Sequence, residues 1–174
     1  MKKLTIAALL LFVATPSFSQ NKEEGSEKND INRLMNNKET MPVLRSVDNE
    51  KAVKQVLKQY SIAVENLSMS GTENLFTPDA EIYESEKKEG NYSQYLEHTL
   101  SPKLKEYKSL KYSDYKADVY VKGDYAYVNE TFRYTTINAK DNSETKNQGA
   151  SVMVLKKIKG KWKIASSHFS SKVI

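Results

Sequence analysis

Polar and apolar positions follow two different periods along this chain, and the change falls near Ser109. Before it, apolar residues recur every three or four positions. Val53, Val56, Leu57, Tyr60, Val64 and Leu67 form one stripe, which predicts a helix over 48–68. Asp48 is the expected N-cap, Glu50 an acid in the first turn, and Gly71 ends the helix or follows its end. A short helical turn is predicted at 72–76. Phe76-Thr77-Pro78-Asp79-Ala80 reads as a turn, because Pro78 pushes its predecessor out of helical geometry and the Asp79 carboxylate can close the bend. Residues 80–84 suit a short strand, and 84–90 read as a charged loop. Tyr92, Tyr95, Leu96 and Leu100 mark another helical stripe over 91–100, with His98 at its edge. Ser101-Pro102 predicts a break and a restart running to about Tyr107.

Beyond Ser109 the period is two. Tyr115, Ala117, Val119 and Val121 alternate with polar residues. Gly123-Asp124 predicts a tight turn into a second strand carrying Ala126, Val128, Glu130, Phe132 and Tyr134 on one face. A polar loop at 138–143 leads to a strand over 149–158, and Lys159-Gly160 turns into the last strand. There Trp162, Ile164, Ser166, His168 and Ser170 share one face if the alternation runs unbroken. Helices followed by a meander of long strands predict an α+β domain over 48–174. The N-terminal helices pack on one face of a strongly curved antiparallel sheet. No internal repeat is present.

The N-terminal third reads differently. Lys2 and Lys3, the apolar run Ile6 to Val13 and the small residues Ser17 and Ser19 have the pattern of a secretory signal over 1–19. The apolar run is too short to span a bilayer. Residues 20–47 are rich in Asn, Lys, Glu and Ser and read as a disordered linker. The expected location is therefore periplasmic or secreted, without stable membrane insertion after cleavage.

Composition narrows the chemistry. The chain has no cysteine, which excludes disulfides, thiolate metal sites, a cysteine nucleophile and a lipidated cysteine. The net charge of +5 falls to +3 once Lys2 and Lys3 are removed (5 − 2), and the lysines and acids are interspersed. That pattern describes a solvated surface rather than a nucleic-acid interface. The tyrosines sit largely in alternating strands, where they serve as packing residues.

The order of helix, short helix, Phe76-Thr77-Pro78-Asp79-Ala80, helix and strands, closed by Lys161-Trp162-Lys163-Ile164 with His168 and Ser170, resembles the nuclear transport factor 2-like superfamily. The likeness is to its SnoaL-like and DUF4440-type bacterial branches and covers 48–174. It implies a cone with a pocket between sheet and helices. That superfamily holds isomerases, dehydratases, polyketide cyclases and many members without catalysis, so it locates a site and leaves its chemistry open. Many members carry a second histidine two residues before the one matched by His168; here that position is Ser166. The resemblance also implies a homodimer through the sheet, for which Tyr125 and Tyr127 are suitably placed.

The expected pocket residues are Tyr60, Tyr95, His98, Glu130, Phe132, Trp162, Ser166 and His168. Glu130 and His168 form the leading pair. A carboxyl in an apolar face is pushed toward a general-base range, and an adjacent imidazole could shuttle its proton or orient a ligand. His98 and His168 with a carboxylate are a weaker alternative as metal ligands, with no supporting motif, so neither metal nor cofactor is expected. Asp79 near Tyr83 reads first as a turn former. Arg133, of opposite parity to Glu130, belongs on the outer face. No phosphate loop, nucleophile elbow or cofactor fingerprint is present. These residues favour an exported, non-enzymatic protein binding a small apolar or amphiphilic molecule. The alternatives are an isomerase or lyase using Glu130 or Asp79 with His168, and a structural module of the cell envelope.

Overall fold

Strand β4 (Tyr125–Asn138) alternates through Tyr134, with Ala126, Val128, Glu130, Phe132 and Tyr134 buried and Tyr125, Tyr127, Asn129, Thr131 and Arg133 exposed. It is the second strand from one edge of the sheet in a computed structural model describing residues 40–174, with side chains from residue 46. Residues 1–19, read above as a signal, and 20–39 of the segment 20–47, read above as a disordered linker, lie outside the described residues; the remaining 40–47 are helical rather than linker. The other elements are α1 (Thr40–Glu65), a 3-10 turn (Thr72–Leu75), β1 (Phe76–Glu84), β2 (Lys87–Gly90) and α2 (Tyr92–Tyr95). They continue with a π turn (Leu96–Leu100), α3 (Ser101–Lys105), β3 (Tyr107–Lys122), β5 (Glu144–Ile158) and β6 (Lys161–Val173).

The six strands form one sheet in the order β2-β1-β6-β5-β4-β3. Every neighbouring pair is antiparallel except β1 with β6, which is parallel, so the curved, unclosed sheet is mixed rather than wholly antiparallel. The helices cover its inner face, and the fold is α+β.

The predicted stripe packs α1 on that face: Val53, Leu57 and Val64 are buried, and Val56 and Tyr60 half-buried. The chain is already helical at Thr40, the first described residue, so Asp48 lies inside the helix and is not its cap. The helix ends at Glu65 with Leu67 as its left-handed closing residue, and Gly71 follows the end. Ser68 N–H donates to the Ala63 carbonyl (3.0 Å) and Leu67 N–H to the Val64 carbonyl (3.0 Å), a Schellman closure with Leu67 left-handed at φ 53°. Leucine tolerates that strained conformation because its side chain packs against the core.

Three further expectations are corrected. Phe76 to Ala80 is the start of β1 and not a turn, although β1 bulges there: Phe76 pairs with Ile164 and the next pair is Glu81 with Ser166. Pro78 has no N–H to give a ladder, and Asp79 is exposed in the bulge. Segment 84–90 is a hairpin joining β1 to β2, with Ser85 left-handed at φ 53°. Ser101-Pro102 does not break the helix. A π turn precedes it, in which Ser101 N–H reaches back to the Leu96 carbonyl, and the missing proline N–H is absorbed.

Two bulges decide which residues face the helices. In β3, Ser113 pairs with Arg133 and Lys116 with Thr131, so Asp114 and Tyr115 together oppose Phe132. Asp114 takes φ 50°. In β6, Ile164 pairs with Leu155 but Ser166 with Val154, leaving Ala165 as the extra residue. A one-residue slip moves every later side chain to the other face. Trp162 and Ile164 point inward, and after the bulge Ser167 and Phe169 do so.

Candidate functional site

The inner face of the sheet and the helices enclose a cavity of about 100 Å³ that is partly open to solvent. Its walls are Leu57, Tyr60 and Val64 from α1, Leu100 and Leu104 beyond α2, and inward residues of the strands. Aromatic rings make the tightest part. Phe132 stacks on Phe169 (6.0 Å, 2° between planes) and on Tyr115 (6.4 Å), with Tyr112 edge-on at 5.2 Å. Gly149, opposite Phe132 in the β4–β5 register, provides the room for that ring.

Glu130 is the one acid among the described lining residues, and only 6% of it is exposed. The Tyr115 hydroxyl donates a short hydrogen bond to Glu130 Oε1. Burial pushes the Glu130 carboxyl above its ordinary range, and the hydrogen bond from Tyr115 offsets this only in part. Ser151 stands directly across from Glu130 on β5. Its hydroxyl is buried and makes no well-formed hydrogen bond among the described residues, to Glu130 or to any other group. Four of the lining tyrosines resist ionisation: burial, then the Glu130 charge, raises both Tyr115 and Tyr112, and burial raises Tyr60 and Tyr95. Tyr112 is held through its backbone, whose N–H donates to Glu65 Oε1 at the end of α1 (2.9 Å).

A second polar group borders the cavity away from Glu130. Lys103 Nζ donates to Glu84 Oε1 (2.9 Å), and the Tyr95 hydroxyl donates to Glu84 Oε2 (3.1 Å). Burial disfavours the Lys103 charge, but Glu84 outweighs it and the pKa is raised. Tyr134 and Ser171 share a hydrogen bond of 2.9 Å nearby on the inner face.

Of the expected pocket residues, Tyr60, Tyr95, Glu130 and Phe132 line the cavity. The other four do not. His98 lies on the outer side of the π turn, 69% exposed, beside Glu97. Trp162 is buried, but under the middle of α1 with Ala52 and Val56, where the Lys157 ammonium sits 5.8 Å from its ring. The bulge at Ala165 turns Ser166 and His168 to the outer side. His168 is exposed there, and its Nε2 pairs with the Ser85 carbonyl at 2.7 Å, pinning the β1–β2 turn. Glu130 and His168 therefore stand on opposite faces of the sheet and cannot exchange a proton. Among the described residues no three His, Cys, Asp or Glu side chains converge as a metal site.

Sequence reasoning missed Lys103, Tyr112, Tyr115, Ser151 and Phe169. One clue was present. Ile164 and Phe169 are both apolar yet of opposite parity, which an unbroken strand cannot place on one face. Arg133 is on the outer face as expected, paired with Asp114 at 3.3 Å.

Comparison with known proteins agrees with this architecture. A family model described as SnoaL-like domain matches residues 53–174. Among solved structures, a nuclear transport factor 2-like superfamily protein from Salmonella enterica serovar Typhimurium is similar with a TM-score of 0.63. It is 17% identical, over 70% of this chain and 89% of that one. A protein from Novosphingobium aromaticivorans, provisionally named a scytalone dehydratase, has a TM-score of 0.62 at 17% identity, over 72% of this chain and 85% of its own. One from Shewanella frigidimarina, provisionally named a ketosteroid isomerase, has a TM-score of 0.57 at 23% identity, over 68% and 94%. At these identities the likeness concerns the fold. No curated protein matched the chain.

Proposed function

The chain belongs to the SnoaL-like domain family, and on that footing we propose that it binds a ring-sized apolar or amphiphilic small molecule without converting it. The observation that carries this reading is the partly open cavity of about 100 Å³, walled by aromatic and aliphatic side chains around a single buried carboxyl. An apolar protein cavity of about 150 Å³ takes up benzene, so a ring is the right order of size. Apolar walls with a few placed polar groups are the usual composition of a small-molecule site. Turnover is disfavoured because Glu130 has no titrating partner at neutral pH. Tyr115, which holds it, is itself pushed above its ordinary range.

Native mass spectrometry of the protein isolated from its own cells, followed by titration with indole, tests this reading. A retained small molecule, or a one-to-one indole complex lost in Gly149→Val, supports it. An empty protein that also ignores indole overturns it.

A proton-transfer enzyme of the isomerase or lyase class is the second reading. It is favoured by the raised Glu130 carboxyl inside the cavity and by the dehydratase and isomerase names given to structural neighbours. Solvent-deuterium incorporation into a bound carbonyl compound, lost in Glu130→Gln, would establish it. We propose further that two copies pair through the outer face of the sheet, where Tyr120, Tyr127 and Val152 are exposed. Export, proposed from the pattern of residues 1–19, completes the reading.

A further inference from the structure

The unpaired hydroxyl of Ser151 says more about the ligand. It is 4% exposed, faces the cavity and has no hydrogen-bond partner among the described residues. A buried polar group left in this state is costly, and native structures rarely keep one without a use. Its neighbour across the strands, Glu130, has Oε1 taken by Tyr115, which leaves the second oxygen for another group. One ligand hydroxyl completes both at once, donating to Glu130 Oε2 and accepting from Ser151 Oγ. A methyl or halogen completes neither, and an ammonium cannot accept from Ser151. A water molecule suits the same pair of bonds, and a ligand hydroxyl replaces it like for like.

The other polar group of the cavity is a cation. Lys103 is the one positively charged side chain among the described lining residues. It is 41% exposed, and Glu84 occupies one of its three protons. Lys103 lies near Tyr107 and Tyr134. Tyr134 lies about 14 Å along β4 from Glu130 at the usual rise per residue. Tyr112, Phe132 and Phe169 also line the cavity.

Resting on the small-molecule reading, we infer that the ligand is a ring-sized phenol or cyclic alcohol bearing a short acidic arm. Its hydroxyl lies on Glu130 and Ser151, its ring among Tyr112, Phe132 and Phe169, and its acid on Lys103. The two polar ends fix its direction of entry, and the apolar middle supplies most of the affinity. Sites built to bond a hydroxyl discriminate sharply against the analogue that lacks it, because their own polar groups are then left unpaired.

Calorimetric titration of the full domain with para-hydroxyphenylpropanoate, phenylpropanoate and the methyl ester of the first compound tests the assignment. Phenylpropanoate is expected to bind about tenfold more weakly than the hydroxy acid, a difference that narrows in Ser151→Ala, which keeps only the bond to Glu130. The ester is expected to be weaker by about the same factor, a difference that disappears in Lys103→Met. Indole binds in every case as the control for an intact cavity. Equal binding of all three compounds, or indole binding with none of them bound, overturns this inference and leaves the small-molecule reading standing. Loss of indole binding in the wild type overturns both. The wild-type comparison decides the matter even if a variant does not fold.

Discussion

Replacing Gly149 with alanine is expected to close the cavity from below. The glycine has an ordinary backbone conformation, so the substitution adds no backbone strain. The added Cβ, however, would lie 2.5 Å from Phe132 Cε2, 3.0 Å from Cζ and 3.2 Å from Cδ2. These are atoms of a rigid ring clamped between Phe169 and Tyr115, so the ring must leave its stack and enter the cavity. Overpacking of this kind costs about 1–3 kcal/mol. The restricted unfolded chain returns about 0.4–1 kcal/mol, and the net is a destabilisation of about 1–2 kcal/mol. Urea unfolding followed by circular dichroism would show it as a lower midpoint with an unchanged slope. Shortening the ring should abolish the clash, so Gly149→Ala in a Phe132→Leu background is expected to be neutral or mildly stabilising. The two substitutions then couple by more than about 1 kcal/mol in a double-mutant cycle. A stabilised single mutant, or additive effects across the cycle, would refute the packing described for Phe132.

Three further outcomes follow from the same geometry. Because burial raises the Glu130 carboxyl above its ordinary 4.5, the folded protein holds that proton to higher pH than the unfolded chain does. Stability from this group is therefore complete below about 4.5 and declines as pH rises through the folded value. Glu130→Gln should remove that decline, so its stability relative to wild type grows with pH; a pH-independent difference in urea unfolding would contradict it. His168→Ala should leave indole affinity unchanged and cost about 1 kcal/mol or less, through the lost bond to the Ser85 carbonyl; a large loss of affinity would return His168 to the site. Tyr127→Lys on the exposed face should convert the proposed dimer to monomer in sedimentation without changing ligand affinity, and an unaffected dimer would place the interface elsewhere.

Much of this fold is legible in the sequence because its strands obey a simple period. The inward set of β4, Glu130 included, follows from alternation alone, and the stripe of α1 from helical spacing. What escapes are single-residue events. The extra Ala165 in β6 reverses the parity of everything after it and moves His168 from the pocket to the outer surface. A bulge carries no strong composition here, since Ser166, Ser167, Ser170 and Ser171 look equally at home on either face. Asp114 does the same in β3 and brings both Tyr112 and Tyr115 to the inner side. The charged hairpin 84–90 was hidden because its pairing rests on backbone hydrogen bonds and the His168 contact rather than on apolar alternation. Lys103 was unreadable as a site residue for a related reason. Its position depends on Glu84, which is close to it only in the folded chain.

The central claim is that the cavity beside Glu130 is the binding site and the His168 surface is not. The most direct measurement is a methyl and aromatic carbon–proton correlation spectrum of the labelled domain, recorded as indole is added. Met153, Tyr115, Phe132 and Phe169 line the cavity, and their resonances are expected to shift together and saturate, while His168 and Trp162 stay still. Shifts confined to His168 or to the outer tyrosines, or no saturable shift at all, would contradict the account.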